Sequence, residues 1–184
     1  NSDFDLISLL DNRTGYLTGD TRHAFKPFGA YFVPLKNGHG VQLAGAFRAN
    51  SGGPTNYYGS HYLYGSDEVF ILPRGSGERL PWRFSIDPSF TYTKSINDKL
   101  AFSLIMEVYN VANFQQVIAI DERYTNDDVK PIKGGTVDDL KSLKAFDGDD
   151  DPMNDVDAVK NPNFGNPLAY QLPRQFRFGA RFSF

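Results

Sequence analysis

Three groups of side chains in this chain of 184 residues could do chemistry. The first is acidic. Asp147, Asp149 and Asp151 recur at every second position, with Asp155 shortly after, and carboxylate oxygens spaced this way can cage a hard cation such as calcium. The segment departs from a twelve-residue EF-hand loop, since no glycine falls at its sixth position and no glutamate closes it. Calcium is therefore one reading of these four residues, beside a solvated acidic surface loop. The second group is aromatic: Tyr57, Tyr58, Tyr62 and Tyr64 with His61, set among Gly59 and Gly65. Such a cluster presents large planar surface at low entropic cost and suits sugar, peptide or chelate ligands. It equally suits anchoring at a membrane interface, where tyrosines sit at headgroup level. The third group is a set of charges on alternating positions, which acquires meaning only from the strands that carry it.

Enzymatic chemistry is not supported. His23, His39 and His61 are dispersed, no His-Glu-x-x-His or Gly-x-Ser-x-Gly pattern occurs, and Gly75-Ser76-Gly77 lacks the strand-to-helix setting of a nucleophile elbow. With no cysteine there is no disulfide framework, zinc knuckle or thiol nucleophile. The net charge of −3 gathers its acid between residues 121 and 157, and no basic stripe of the kind that binds nucleic acid is present. The chain begins at Asn1 without a signal-like apolar stretch, which suggests a mature product or a fragment.

The elements that must position these groups are strands. Even positions Trp82, Phe84, Ile86, Pro88, Phe90 and Tyr92 are apolar, whereas Arg83, Ser85, Asp87, Ser89, Thr91 and Thr93 are polar. Period-two alternation sends the two sets to opposite faces of a ribbon. Leu100, Phe102, Leu104, Met106 and Val108 repeat the pattern, as do Val41, Leu43, Gly45, Phe47 and Ala49. The sharpest case is Phe176, Phe178, Ala180, Phe182 and Phe184 against Gln175, Arg177, Gly179, Arg181 and Ser183. In an earlier run, 22–33, the odd positions are assigned to the apolar face so that Lys26 avoids lipid. Pro27 and Pro88 each remove a ladder donor, and bulges are expected there. On the polar faces stand Arg48, Arg83, Asp87, Glu107, Arg177 and Arg181, which would line a barrel interior. A ladder of cross-strand ion pairs is favoured for them over a substrate path, because long charged side chains in a filled lumen must be paired.

Five strands result, at about 22–33, 40–51, 82–94, 99–111 and 174–184. Their connections alternate between short turns, at residues 34–39 and 95–98, and long loops, at 52–81 and 112–173. No run of apolar residues approaches the ~18 needed for a membrane-spanning helix. Two-faced ribbons of 10–12 residues, joined by short turns at one end and long loops at the other, are how a transmembrane β-barrel is written. The expected fold is all-β: five consecutive antiparallel strands forming part of a large transmembrane barrel, with long extracellular loops.

Particular stretches strengthen this. They are Thr21-Arg22-His23-Ala24-Phe25-Lys26, Gly45-Ala46-Phe47-Arg48-Ala49-Asn50-Ser51-Gly52-Gly53-Pro54, and Arg74-Gly75-Ser76-Gly77-Glu78-Arg79-Leu80-Pro81-Trp82. They continue with Glu107-Val108-Tyr109-Asn110-Val111-Ala112-Asn113-Phe114, Asn161-Pro162-Asn163-Phe164-Gly165, and the last eleven residues from Arg174. In this order they resemble the C-terminal part of a TonB-dependent outer-membrane receptor of the Oar-like subgroup. The resemblance implies location in the outer membrane of a Gram-negative cell and contact with its lipid. It implies energy-coupled uptake of a nutrient or metal chelate. The terminal aromatic resembles the signal read by barrel-assembly machinery. Such receptors close about twenty-two strands around a plug and carry a TonB box, so the remaining strands, the plug and the TonB coupling would lie on another chain or a missing segment. The run at 22–33 and the terminal strand would each pair with strands absent from this sequence, and the short turns and carboxyl terminus would face the periplasm. The alternative, of a different class, is a soluble or surface-exposed β-sandwich binding or adhesion module whose apolar faces meet in a core.

Overall fold

The computed structural model describes residues 6–97, 99–148 and 156–184. In chain order the strands are β1 (Ala24–Phe25), β2 (Phe28–Pro34), β3 (His39–Asn50), β4 (Tyr58–His61), β5 (Gly65–Phe70), β6 (Arg83–Ser95) and β7 (Ala101–Tyr109). They continue as β8 (Val117–Ile120), β9 (Arg123–Asp128), β10 (Lys144–Ala145), β11 (Val156–Asp157), β12 (Pro167–Tyr170) and β13 (Gln175–Ser183). Two short 3-10 turns, Ile7–Leu10 and Val137–Ser142, are the only helical elements among the described residues. The fold is all-β.

The chain divides into two compact units. The sheet unit comprises Thr21–Ser51, Pro81–Gln116 and Tyr170–Phe184. Its strands form one antiparallel sheet in which β1 and β2 both pair with β3, followed by β6, β7 and β13. Alternation fixes which side chains share a face, and register then lines them up across the sheet. Tyr31 lies opposite Leu43, Leu43 opposite Phe90, Phe90 opposite Met106 and Met106 opposite Phe178, one apolar row across five ribbons. The next row runs Val33, Val41, Tyr92, Leu104 and Ala180. The odd positions of β2 thus do share the apolar face.

Among the described residues no second layer covers that face. Exposure along the first row is lowest at Phe90, 37%, and reaches 74% at Phe178. A β-sandwich needs these side chains enclosed, so its core is not formed here. Against β3 the register is unbroken at both prolines, whereas across from Pro88 on the β7 side it slips by one residue between the Ser89–Glu107 pair and the Val111 N–H to Ile86 carbonyl bond, the expected bulge. Ala24 to Phe25 and Phe28 to Pro34 keep one unbroken register against β3, and Pro27 accepts from the Phe47 N–H at 3.0 Å, forfeiting only the return bond. Pro88 sits opposite Gly45 in an equally unbroken register. Its missing donor would have pointed toward β7, and the β6–β7 ladder ends one residue away, at Ser89 and Glu107.

The loop unit comprises Asn1–Asp20, Gly52–Leu80 and Val117–Ala169. Here the long connections fold into a small body with a core of Val69, Ile71, Leu72, Val129, Leu140 and Leu143, of which Ile71 and Leu72 are fully buried. A three-stranded sheet orders β5, β4 and β9, with β4 and β9 parallel. β8 pairs with β12, and β10 with β11. The turns are asparagine-built. Asn12 at φ 59° donates to the carbonyls of Phe70, Ile71 and Ile132 and accepts from Gly134 N–H. Asn161, buried, donates to Asp121 and to the Arg123 carbonyl.

Candidate functional site

On the sheet unit, alternation brings Arg48, Arg83, Asp87, Glu107, Arg177 and Arg181 to the face opposite the apolar rows. Two ion pairs form among them. Arg48 Nη1 stands 2.8 Å from Asp87 Oδ2, and Arg177 Nη1 lies 3.5 Å from Glu107 Oε2. The Arg177 pair is cross-strand neighbours, and the Tyr109 hydroxyl adds a hydrogen bond to the same Glu107 oxygen at 3.1 Å. Asp87 is the best-held group on this face. Its carboxylate is 8% exposed, accepts from Ser85 Oγ, and accepts from the Asn110 N–H at 2.8 Å. Arg83 and Arg181 share the face but take part in neither pair. Because Arg48 is half exposed, its pair with Asp87 contributes at most about 1 kcal/mol, and the Arg177 pair is open to solvent. A groove of about 410 Å³ runs over this face between small residues, among them Ala30, Ala44, Ala46 and Ser89.

On the loop unit the tyrosine group comes together, but most of it turns inward. Tyr57 packs on the core, stacked against Phe164 at 5.4 Å and edge-on to Tyr124 at 6.1 Å. Tyr58, partly buried, leans on Phe70 at 4.8 Å. His61 is buried against Tyr62 at 4.7 Å and Tyr64 at 5.4 Å. Burial pulls the His61 imidazole below its ordinary pKa, against the opposing pull of Asp128 and Glu68. Tyr62 is the one member of the group that is largely exposed, beside Leu63.

An open cavity of about 740 Å³ lies next to Tyr58, lined among others by Pro54, Leu80, Ile120, Asp121, Glu122 and Arg123. Arg123 grips Asp67 with both ends of its guanidinium, Nε to Oδ1 at 2.7 Å, and its main-chain N–H donates to Asp121 at 2.9 Å. Glu122 accepts from Asn56 Nδ2 at 2.9 Å, and Asn56, almost wholly buried, accepts in turn from Gly75 N–H at 2.8 Å. Burial raises the Glu122 carboxyl above its ordinary pKa, and the Asn56 hydrogen bond offsets only part of that. The cavity is thus lined by an aromatic ring, that of Tyr58, and by a carboxyl whose pKa burial raises. Asn12, Asn56, Asn110 and Asn161 organise these sites and were not singled out from the sequence as functional. Their signal was only asparagine near glycine and proline in turns.

Of the acidic group, Asp147 is described, whereas Asp149, Asp151 and Asp155 lie outside the described residues. Among the described residues no cluster of three or more metal-ligating side chains occurs.

Comparison with known proteins brings the two faces and the loop unit into one context. No family model matches the chain, and no solved structure does. Over its whole length it is similar to the TonB-dependent transporter Oar of Myxococcus xanthus, 44% identical across 189 aligned positions. It spans 18% of that protein's length. Over its whole length the chain is therefore similar to one segment of that TonB-dependent transporter, and its all-β architecture agrees with this.

Proposed function

We propose that the sheet unit is part of the wall of an outer-membrane β-barrel in an energy-coupled transporter. The observation that carries this reading is the open apolar face, aligned row by row across five ribbons and left uncovered. In water such a face is an aggregation hazard; against acyl chains it is the normal outside of a barrel. The polar face, with its Arg48–Asp87 and Arg177–Glu107 pairs, then looks into the lumen, where those pairs form a charge ladder beside a plug carried outside this chain. TonB coupling reaches the protein through that plug.

The outer edges of β2 and β13 carry no ladder partner among the described residues. Unpaired backbone groups in hydrocarbon cost several kcal/mol each, so both edges pair with further barrel strands. The loop unit stands on the outer side and meets the ligand, a nutrient or metal chelate, through Tyr62 and the cavity beside Tyr58. For Asp147, Asp149, Asp151 and Asp155 a solvated acidic surface is favoured over calcium, and a calorimetric titration without heat would remove calcium.

Topology is tested by labelling intact cells with an impermeant maleimide. Leu63→Cys, largely exposed in the loop unit, reacts from outside, whereas Asn37→Cys in a short turn reacts only after permeabilisation. The reverse pattern would overturn the orientation.

A further inference from the structure

At the short-turn end of the sheet, three polar side chains stand on the apolar face. His39 lies opposite Lys94, and Tyr92 is two residues before it on the same side of β6. Lys94 Nζ donates to His39 Nε2 at 3.0 Å and to the Asn37 carbonyl. An ammonium has only donors, so Nε2 must be the accepting nitrogen and the neutral imidazole carries its proton on Nδ1. That proton goes to the Tyr92 oxygen, whose ring is tilted against the imidazole at 5.7 Å. The relay leaves two donors unspent. The Tyr92 O–H has no acceptor among the described residues, and neither has the third N–H of Lys94. Leaving strong donors unmet at the edge of hydrocarbon is costly, and an anionic acceptor with several oxygens meets both at once.

We propose that Lys94, with Tyr92 oriented by His39, binds the phosphate of a phospholipid headgroup. This inference rests on the apolar face meeting lipid. The surroundings fit a lipid better than a free anion. Phe102 and Leu104 lie directly across from Lys94 and Tyr92 to receive acyl chain, and Leu35 and Ile96 are exposed on the two adjoining turns. Lys36 and Lys99 on those turns are exposed and add positive charge toward an anionic leaflet.

The test titrates the purified protein in detergent with dioleoyl phosphatidylglycerol and counts bound lipid by native mass spectrometry. Lys94→Gln and Tyr92→Phe each weaken binding about five-fold, the loss of one cation or one charge-assisted hydrogen bond near a headgroup, and Lys94→Arg retains it. Diacylglycerol, which lacks the phosphate, binds no better to the native protein than to Lys94→Gln, and inorganic phosphate does not compete. Equal affinity in native protein, Lys94→Gln and Tyr92→Phe overturns the proposal, as does competition by inorganic phosphate. Oxygen accessibility of a spin label at Leu104→Cys in bilayers separates the two failures. If Leu104 is lipid-exposed and the affinities are equal, the headgroup site falls and the barrel wall stands. If Leu104 is water-exposed, both fall.

Discussion

Single residues hold this molecule at points where the chain must turn sharply, and Asn110 is the clearest. It follows β7 in the left-handed region at φ 53°, donates to the Phe114 and Leu172 carbonyls, accepts from Phe114 N–H, and gives its own N–H to Asp87. Asparagine tolerates that backbone better than most residues and supplies both ends of the amide. Asn110→Ala removes three side-chain hydrogen bonds made by a buried amide, so it lowers unfolding stability by about 2–4 kcal/mol in a urea titration in detergent. A loss under 1 kcal/mol would mean that the turn is held elsewhere.

Glu122 makes a prediction of opposite sign. Its carboxyl is raised from 4.5 by burial, so the folded state keeps a proton that the unfolded state has already released. The contribution is present below about pH 4.5 and is lost as pH rises through the folded value. Glu122→Gln therefore stabilises the loop unit at pH 7 and leaves it little changed at pH 4, read as melting temperature at the two values. Equal effects at both would show that burial does not raise the carboxyl.

At the scale of elements, what could be read from the chain was whatever depends on local pattern. Alternation from Trp82 to Tyr92 and from Phe176 to Phe184 needs only the two-residue period of a strand, and the observed register lines up those same side chains. The bulge expected at Pro27 did not form, because the proline forfeits only one bond to β3 and the Phe47 N–H still pairs with its carbonyl, whereas across from Pro88 the pairing with the β7 side does slip by one residue. The inward turn of Tyr57 and His61 was not legible either. For Tyr57 it depends on Phe164 and Tyr124, which come from sequence far away, and periodicity carries no information on such pairings. The Gly52-Gly53 pair did mark a constraint. A Cβ at Gly52 would sit 1.9 Å from the Leu80 carbonyl oxygen, and one at Gly53 would sit 2.2 Å from that of Thr18. Gly52→Ala forces the backbone apart and costs about 1–3 kcal/mol, whereas Gly29→Ala, which meets nothing within 4 Å, costs less than 1 kcal/mol, both measured by thermal unfolding.

In the whole molecule labour is divided between a unit that has a core and a unit that lacks one. The loop unit buries Ile71 and Leu72 completely and closes its turns with asparagine. The sheet unit aligns its aromatic and aliphatic side chains on one face and leaves them open, which the proposed barrel wall requires. All nine residues of β13 are exposed in the isolated chain, so the choice of face becomes visible only in lipid. A nitroxide scan of positions 175–183 in bilayers, made with single cysteines in a chain that has none of its own, tests this most directly. Oxygen accessibility should rise and fall with a period of two, with maxima at Phe176, Phe178, Ala180 and Phe182. A scan with no such period, or with its maxima at Arg177 and Arg181, would contradict the account.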